Sequence, residues 1–214
     1  MSVEYEYEFL NYDKKYIISE IKKKGAKKFG QFIFKVIVFI HPLSEKASTF
    51  IRIRDEGYKI TMTTKTKSEK SQFETENEVI INDFDEAVNI LYSLGCIKKY
   101  YYEKIREIWR LKDTEIVFDI NPCLPERMEI EAKSKKILDS LVRDLNLQNQ
   151  MTKEKTNRIY DLYDTYIPKN IDLTFNTAKK SLFKSIKKNK DLFNKIITEQ
   201  KELYNSLLKK NTKS

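Results

Sequence analysis

One histidine (His41) and two cysteines (Cys96, Cys123) are all that this 214-residue chain carries of the usual soft metal ligands and strong nucleophiles. That scarcity argues against a histidine-centred triad and against a zinc site, and the two cysteines match no disulfide framework. A reducing compartment follows, and a cytoplasmic location is expected. Only four glycines and four prolines are present. No apolar run nears the roughly 18 residues of a membrane span, and the acidic start is unlike a signal peptide. With 40% apolar and 34% charged residues, the composition is that of a soluble, highly charged globular protein. The net charge of +9 is concentrated at one end: residues 169–214 hold twelve lysines against four acids, which is +8 and leaves +1 for residues 1–168. The division expected is therefore a near-neutral domain over 1–168 and a Lys-rich amphipathic helical extension over 169–214.

Side chains alternate between the two faces of a strand. The opening Val3–Phe9 thus places Glu4, Glu6 and Glu8 on one face. Taken alone, such a row is an ordinary wet edge. The pattern recurs, however. Strands are predicted over 31–40, 49–55, 58–65, 72–81, 100–111, 115–121 and 127–133. Helices are predicted over 13–24, 83–94 and 135–145, with Gly25 and Gly95 placed to end the first two. Gly25-Ala26 and Gly95-Cys96 each lead through lysines into an aromatic-rich strand, which suggests a loose internal repeat.

Sorting the strands by parity puts Arg52, Arg54, Lys59, Lys65, Glu74, Glu76, Glu78, Lys104, Arg106, Arg110, Glu115, Asp119, Glu129 and Glu131 on one face. Ile51, Ile53, Ile60, Met62, Ile116, Phe118, Met128 and Ile130 fall on the other. The helices need an apolar surface and are too few to cover two. The expected fold is α+β: an eight-stranded antiparallel β-barrel with helices packed outside and a charged, water-filled tunnel inside. Carboxylates facing guanidinium and ammonium groups suit a polyphosphate together with Mg²⁺ or Mn²⁺.

The same pieces, EYEYEF, FIRIRDEGYKITMTTK, FETENEV, the run from Asp83 to Leu111 and RMEIEAK, resemble in order and spacing the CYTH domain, the triphosphate tunnel fold. That fold is shared by class IV adenylate cyclases, thiamine triphosphatases and inorganic triphosphatases. The resemblance runs over roughly residues 1–165. It implies a triphosphate-containing substrate and a divalent metal held by Glu4, Glu6, Asp119, Glu129 and Glu131. It also implies phosphate binding by Arg52, Arg54, Lys59, Lys65, Lys104, Arg106 and Arg110, with Lys65, Arg52 and Arg54 catalytic. Where the family continues Glu-x-Glu-x-Lys, this chain has Glu8, so the pair Glu6 and Glu8 is an alternative to Glu4 and Glu6.

A metal-dependent triphosphatase is the first expectation and an adenylate cyclase the second, with a non-catalytic polyphosphate-binding module as a third. An RNA 5′ end is a further candidate substrate, and a homodimer is compatible with all three. Tyr160 and Tyr163 are candidates for the tunnel mouth. Trp109, on the face opposite Lys104, Arg106 and Arg110, is expected in the core.

Overall fold

In a computed structural model the described residues are 5–43, 49–67, 74–150, 172–177 and 190–211. Glu4, Tyr160, Tyr163 and the start of the lysine-rich extension lie outside them. The elements run β1 (Tyr5–Phe9), α1 (Lys14–Lys23), β2 (Lys27–Ile40), β3 (Thr49–Asp55), β4 (Ile60–Lys67) and β5 (Glu74–Ile81). They continue with α2 (Phe84–Ser93), β6 (Ile97–Leu111), β7 (Thr114–Ile120), β8 (Arg127–Ala132), α3 (Lys135–Asp144) and α4 (Lys190–Asn211).

Local chemistry sets the helix ends. Asp13, Asp83 and Ser134 cap the first three helices, each side chain accepting from first-turn backbone N–H groups. All three helices end in a left-handed residue: Gly25 at φ 93°, Gly95 at φ 78° and Asn146 at φ 56°. The next residue then returns its N–H five positions back, as in Ala26 to Ile21, Cys96 to Leu91 and Leu147 to Val142. Ala26, Cys96 and Leu147 are buried there, so each cap also fixes how the following chain enters the core.

All strand pairs are antiparallel, in the order β1-β8-β7-β6-β2-β3-β4-β5. Exchanging β1–β4 with β5–β8 reverses this order without changing it, so the internal repeat appears as a pseudo-twofold between the long central strands β2 and β6. β1 and β5 are the sheet edges among the described residues, and the ladder of hydrogen bonds does not close between them. Both edges carry glutamates, Glu6 and Glu8 on one and Glu76 and Glu78 on the other. Like charge on both edges opposes their pairing.

The apolar face is the outer one. Under α1 and α3 it buries Phe9, Ile116, Phe118, Met128 and Ile130, together with Trp109; under α2 it buries Ile37, Phe39 and Ile53. Each fully buried Ile, Phe or Met contributes about 1.5–3 kcal/mol. α4 covers Ile33 and Ile105 through Tyr204 and Leu207, joined by Phe175. Segment 172–177 lies against the part of β6 that β7 leaves unpaired. There Glu103 N–H donates to Leu173 O at 2.8 Å and Leu173 N–H to Tyr101 O at 3.0 Å.

Candidate functional site

A cavity of about 580 Å³ occupies the inner face of the sheet, and all eight strands line it. One wall is β6, β7, β8 and β1. Register places Arg106 beside Asp119, and Asp119 beside Arg127. Arg106 grips Asp119 bidentately, Nε to Oδ1 at 2.7 Å and Nη2 to Oδ2 at 2.6 Å. Lys104 Nζ donates to Asp119 Oδ2 at 2.8 Å, and Arg127 Nη2 approaches it at 3.4 Å. Asp119 is fully buried. Burial alone would raise its pKa, but Arg106 and Lys104 hold it far below the carboxylate range. Lys104 is pushed down to about 8, by burial first and by Arg106 second.

Next to this cationic knot lies an acidic one. Ligand oxygens of Glu6, Glu8 and Glu129 all fall within 4.8 Å of one another. The β1–β8 register sets Glu8 opposite Glu129 and Glu6 opposite Glu131. Arg127 links the two knots, with Nη1 2.7 Å from Glu129 Oε1 and 2.9 Å from Glu8 Oε1. Arg106 Nη2 reaches Glu129 Oε2 at 2.6 Å. Burial, then Glu129 and Glu8, raise Glu6 to about 7. Glu8 is also raised, chiefly by burial. Three crowded carboxylates, with Glu6 and Glu8 held above the usual carboxylate range by burial first and by their acidic neighbours after it, fit a hard divalent cation, which would bring the positive charge that favours their ionised form.

The opposite wall comes from β3, β4 and β5. Glu76 receives Arg52 Nη2 at 3.1 Å and pairs with Lys65 Nζ at 2.8 Å. Glu78 accepts from Thr63 Oγ1 at 3.0 Å, with Arg54 Nη2 at 3.5 Å and Lys59 Nζ at 3.7 Å. Arg54 also meets the buried Glu56 at 2.6 Å. The pseudo-twofold matches β4 with β8, yet β4 supplies Thr61, Thr63 and Lys65 inward where β8 supplies Arg127, Glu129 and Glu131. The carboxylate triad therefore forms on one wall, while Glu76 and Glu78 of β5 are each met by cations. The Nε atoms of Arg52, Arg54 and Arg127 are buried with no hydrogen-bond partner. An arginine held by its Nη atoms with Nε left over is a donor in want of an anion.

Thus Arg52, Arg54, Lys59, Lys65, Lys104, Arg106 and Arg110 all line this one cavity, as do Glu6, Glu129 and Glu131. Asp119 lies directly behind them, enclosed by three cations and apart from the acid triad. Glu4 falls outside the described residues. The third acid of the opening stretch, Glu8, is the one that joins Glu6 and Glu129.

Three features escaped the sequence reading. Arg127 shares the parity of Glu129, so the alternation already contained it. Glu56 sits in the β3–β4 turn, where alternation carries no information. The interior is also less uniformly charged than the parity argument held. Phe32, Phe34 and Val36 of β2 pair in register with Arg106, Lys104 and Tyr102, and Phe32 and Phe34 join Ile108 and Val117 in an apolar strip. From Phe32 to Ile40 β2 is apolar on both faces, broken only at the exposed Lys35, because one face meets α4 and α2 and the other the cavity side of the sheet.

Among solved structures, the fold recurs in the PH1012 protein of Pyrococcus horikoshii, at 22% identity and a TM-score of 0.57, covering 72% of this chain and 96% of that one. A putative adenylate cyclase from Vibrio parahaemolyticus matches at 12% identity and a TM-score of 0.62, covering 75% and 98%. A putative adenylyl cyclase from Hippeastrum, described as having a dominant triphosphatase activity, matches at 11% identity and a TM-score of 0.51, covering 78% and 98%. These likenesses are of fold. No curated protein is similar at a significant level. A protein-family model for the CYTH domain matches residues 4–163, most of the chain and every strand of the sheet, and the chain belongs to the CYTH domain family.

Proposed function

We propose that the cavity hydrolyses a triphosphate-containing substrate with the help of a divalent metal. The carrying observation is that one cavity is lined by Glu6 and Glu129 of the acid triad and by Arg52, Arg54 and Arg127, whose Nε–H groups have no partner. Family membership supports an enzyme of the triphosphatase or adenylate-cyclase type, and the Hippeastrum neighbour offers a precedent for triphosphatase activity on this fold.

In this reading Glu6, Glu8 and Glu129 would hold Mg²⁺ or Mn²⁺, with Glu131 beside them on the wall. A bound divalent ion would neutralise phosphoryl oxygens and polarise phosphorus toward attack. Arg52, Arg54 and Arg127 offer the anion donors that no existing hydrogen bond occupies. Lys65, Lys59, Lys104 and Arg106 add charge around the chain of phosphates, and Arg110 does so at the rim. Their carboxylate partners hold these side chains in place beforehand, so little rearrangement accompanies the build-up of charge on the equatorial oxygens. Asp119, whose resemblance-based role is metal binding, acts here as the counter-charge that orients Lys104, Arg106 and Arg127. Water attacks the terminal phosphorus in line, loses a proton to solvent, and the bridging P–O bond breaks to release orthophosphate.

The test is a product panel. Tripolyphosphate, thiamine triphosphate, ATP and 5′-triphosphate RNA are incubated with Mg²⁺ or Mn²⁺ in ¹⁸O-water. The proposal expects labelled orthophosphate and no 3′,5′-cyclic AMP. Cyclic AMP with unlabelled pyrophosphate would replace it with a cyclase, and no product at all with a binding module.

A further inference from the structure

At the end of the cavity beyond Ile108 the sheet is irregular. The β2–β6 register slips between Lys28 and Gly30, leaving Phe29 as the extra residue of a bulge. A bulge re-aims its side chain. Phe29 is thereby set 5.7 Å, centroid to centroid, from Phe32 and 5.0 Å, edge to face, from Tyr58 of the β3–β4 turn. Tyr58 and Phe32 are 4.8 Å apart. Gly30 makes this possible: a Cβ there would stand 2.3 Å from Phe32 Cζ, so the Phe32 ring lies directly across the glycine. The Arg110 guanidinium stacks 3.7 Å above Phe29.

Phe32 ties this cluster to the apolar strip, and Phe29 and Tyr58 stand outside it. Phe29 is 41% exposed and Tyr58 39%. Tyr58 and Arg110 line the cavity together with Ile108 and Val117. The cluster combines flat apolar faces, one stacked guanidinium and an opening to water, which is the equipment for gripping a planar ring by its face. Inorganic triphosphate has no ring and would leave it unused. From Arg106, at the centre of the cation cluster, to Arg110 is four residues of β6, about 13 Å, so phosphates and ring can be engaged together.

Resting on the triphosphate reading above, we propose that Phe29, Phe32, Tyr58 and Arg110 form a subsite for a planar heteroaromatic group, making the substrate an organic triphosphate. A nucleoside or a thiamine-type ring would present the same stacking face, and the assay separates them.

The experiment measures kcat/KM for ATP, GTP, thiamine triphosphate and tripolyphosphate with wild type, Phe29→Leu and Phe29→Tyr, each checked for an unchanged melting temperature. Phe29→Leu keeps bulk and loses the aromatic face. It should lower kcat/KM about tenfold or more for the preferred ring-bearing substrate, from the usual worth of a base–aromatic stack, and change tripolyphosphate less than twofold. Phe29→Tyr keeps the face and should behave as wild type. Loss confined to ATP and GTP assigns a nucleobase, and loss confined to thiamine triphosphate assigns a thiamine-type ring. Equal change on tripolyphosphate and on the ring-bearing substrates, or no change on any, overturns the subsite while leaving the triphosphatase reading standing. A wild type inactive on all four overturns the subsite, and one inactive on 5′-triphosphate RNA as well overturns the triphosphatase reading too.

Discussion

Asp119→Asn keeps the shape of the side chain and removes its charge, and the structure makes the consequence large. Asp119 has no exposed surface, and its partners Lys104, Arg106 and Arg127 have only 9%, 14% and 14% of their side chains exposed. Three cations would be left around a neutral amide, with only Glu129 and Glu8 to answer two of them. Breaking a buried ion pair by removing one member costs about 3–5 kcal/mol. For a chain of this size each kcal/mol is worth roughly 2–4 °C, so the melting temperature should fall by about 6–20 °C. The folded pKa of Asp119 is depressed. Its contribution is therefore complete above the unfolded carboxylate value and is lost only as pH falls through a much lower folded value, so the deficit persists across pH 6–8. Urea unfolding of wild type and variant measures it. A loss under about 1 kcal/mol with an unchanged slope would refute the claim that Asp119 neutralises this wall.

Other consequences follow from the same geometry. Glu6 is raised to about 7, so a metal competes with a proton there: below pH 7 the apparent metal affinity should weaken by about tenfold per pH unit, and Mn²⁺ titration calorimetry at pH 5.5 and 8 checks it. Without metal, ionised Glu6 is unfavourable in the folded state. Its contribution is thus most favourable below the unfolded value of 4.5 and is lost as pH rises toward 7, and added Mg²⁺ should raise the melting temperature more at pH 8 than at pH 5.5. Gln200 of α4 accepts from Cys123 N–H at 2.8 Å and donates to Leu124 O at 2.7 Å, so Gln200→Ala should cost roughly 1–3 kcal/mol in urea unfolding by stranding those groups. Arg52→Ala with Arg54→Ala should abolish orthophosphate release while sparing Mn²⁺ binding, because neither arginine touches the acid triad.

Parity carried most of the fold. Ile116, Phe118, Met128 and Ile130 lie under helices where alternation puts them, and Arg52, Arg54, Lys65, Lys104 and Arg106 all face the cavity. Alternation stops being the governing rule at a few places in the chain. β2 carries apolar residues on both faces, so alternation could not show that Phe34 lines the cavity with Phe32 and Val36 on the same face. The Phe29 bulge depends on a register slip against β6 that no single strand encodes. Glu56 and Tyr58 act from a turn. The acid triad required knowing which strand lies beside β1: only the β1–β8 pairing brings Glu8 opposite Glu129 and turns a departure from the family pattern into a third carboxylate.

Among the described residues no helix is long and apolar enough to cross a membrane, and α4 spends its apolar face on the sheet. What remains is whether acids and cations of this cavity act on one ligand. Electron paramagnetic resonance of Mn²⁺ with tripolyphosphate asks this directly. The account predicts one bound Mn²⁺ coupled to ³¹P, and loss of that signal in Glu6→Gln with Glu129→Gln. Mn²⁺ bound without phosphorus coupling, or a signal indifferent to both substitutions, would contradict it.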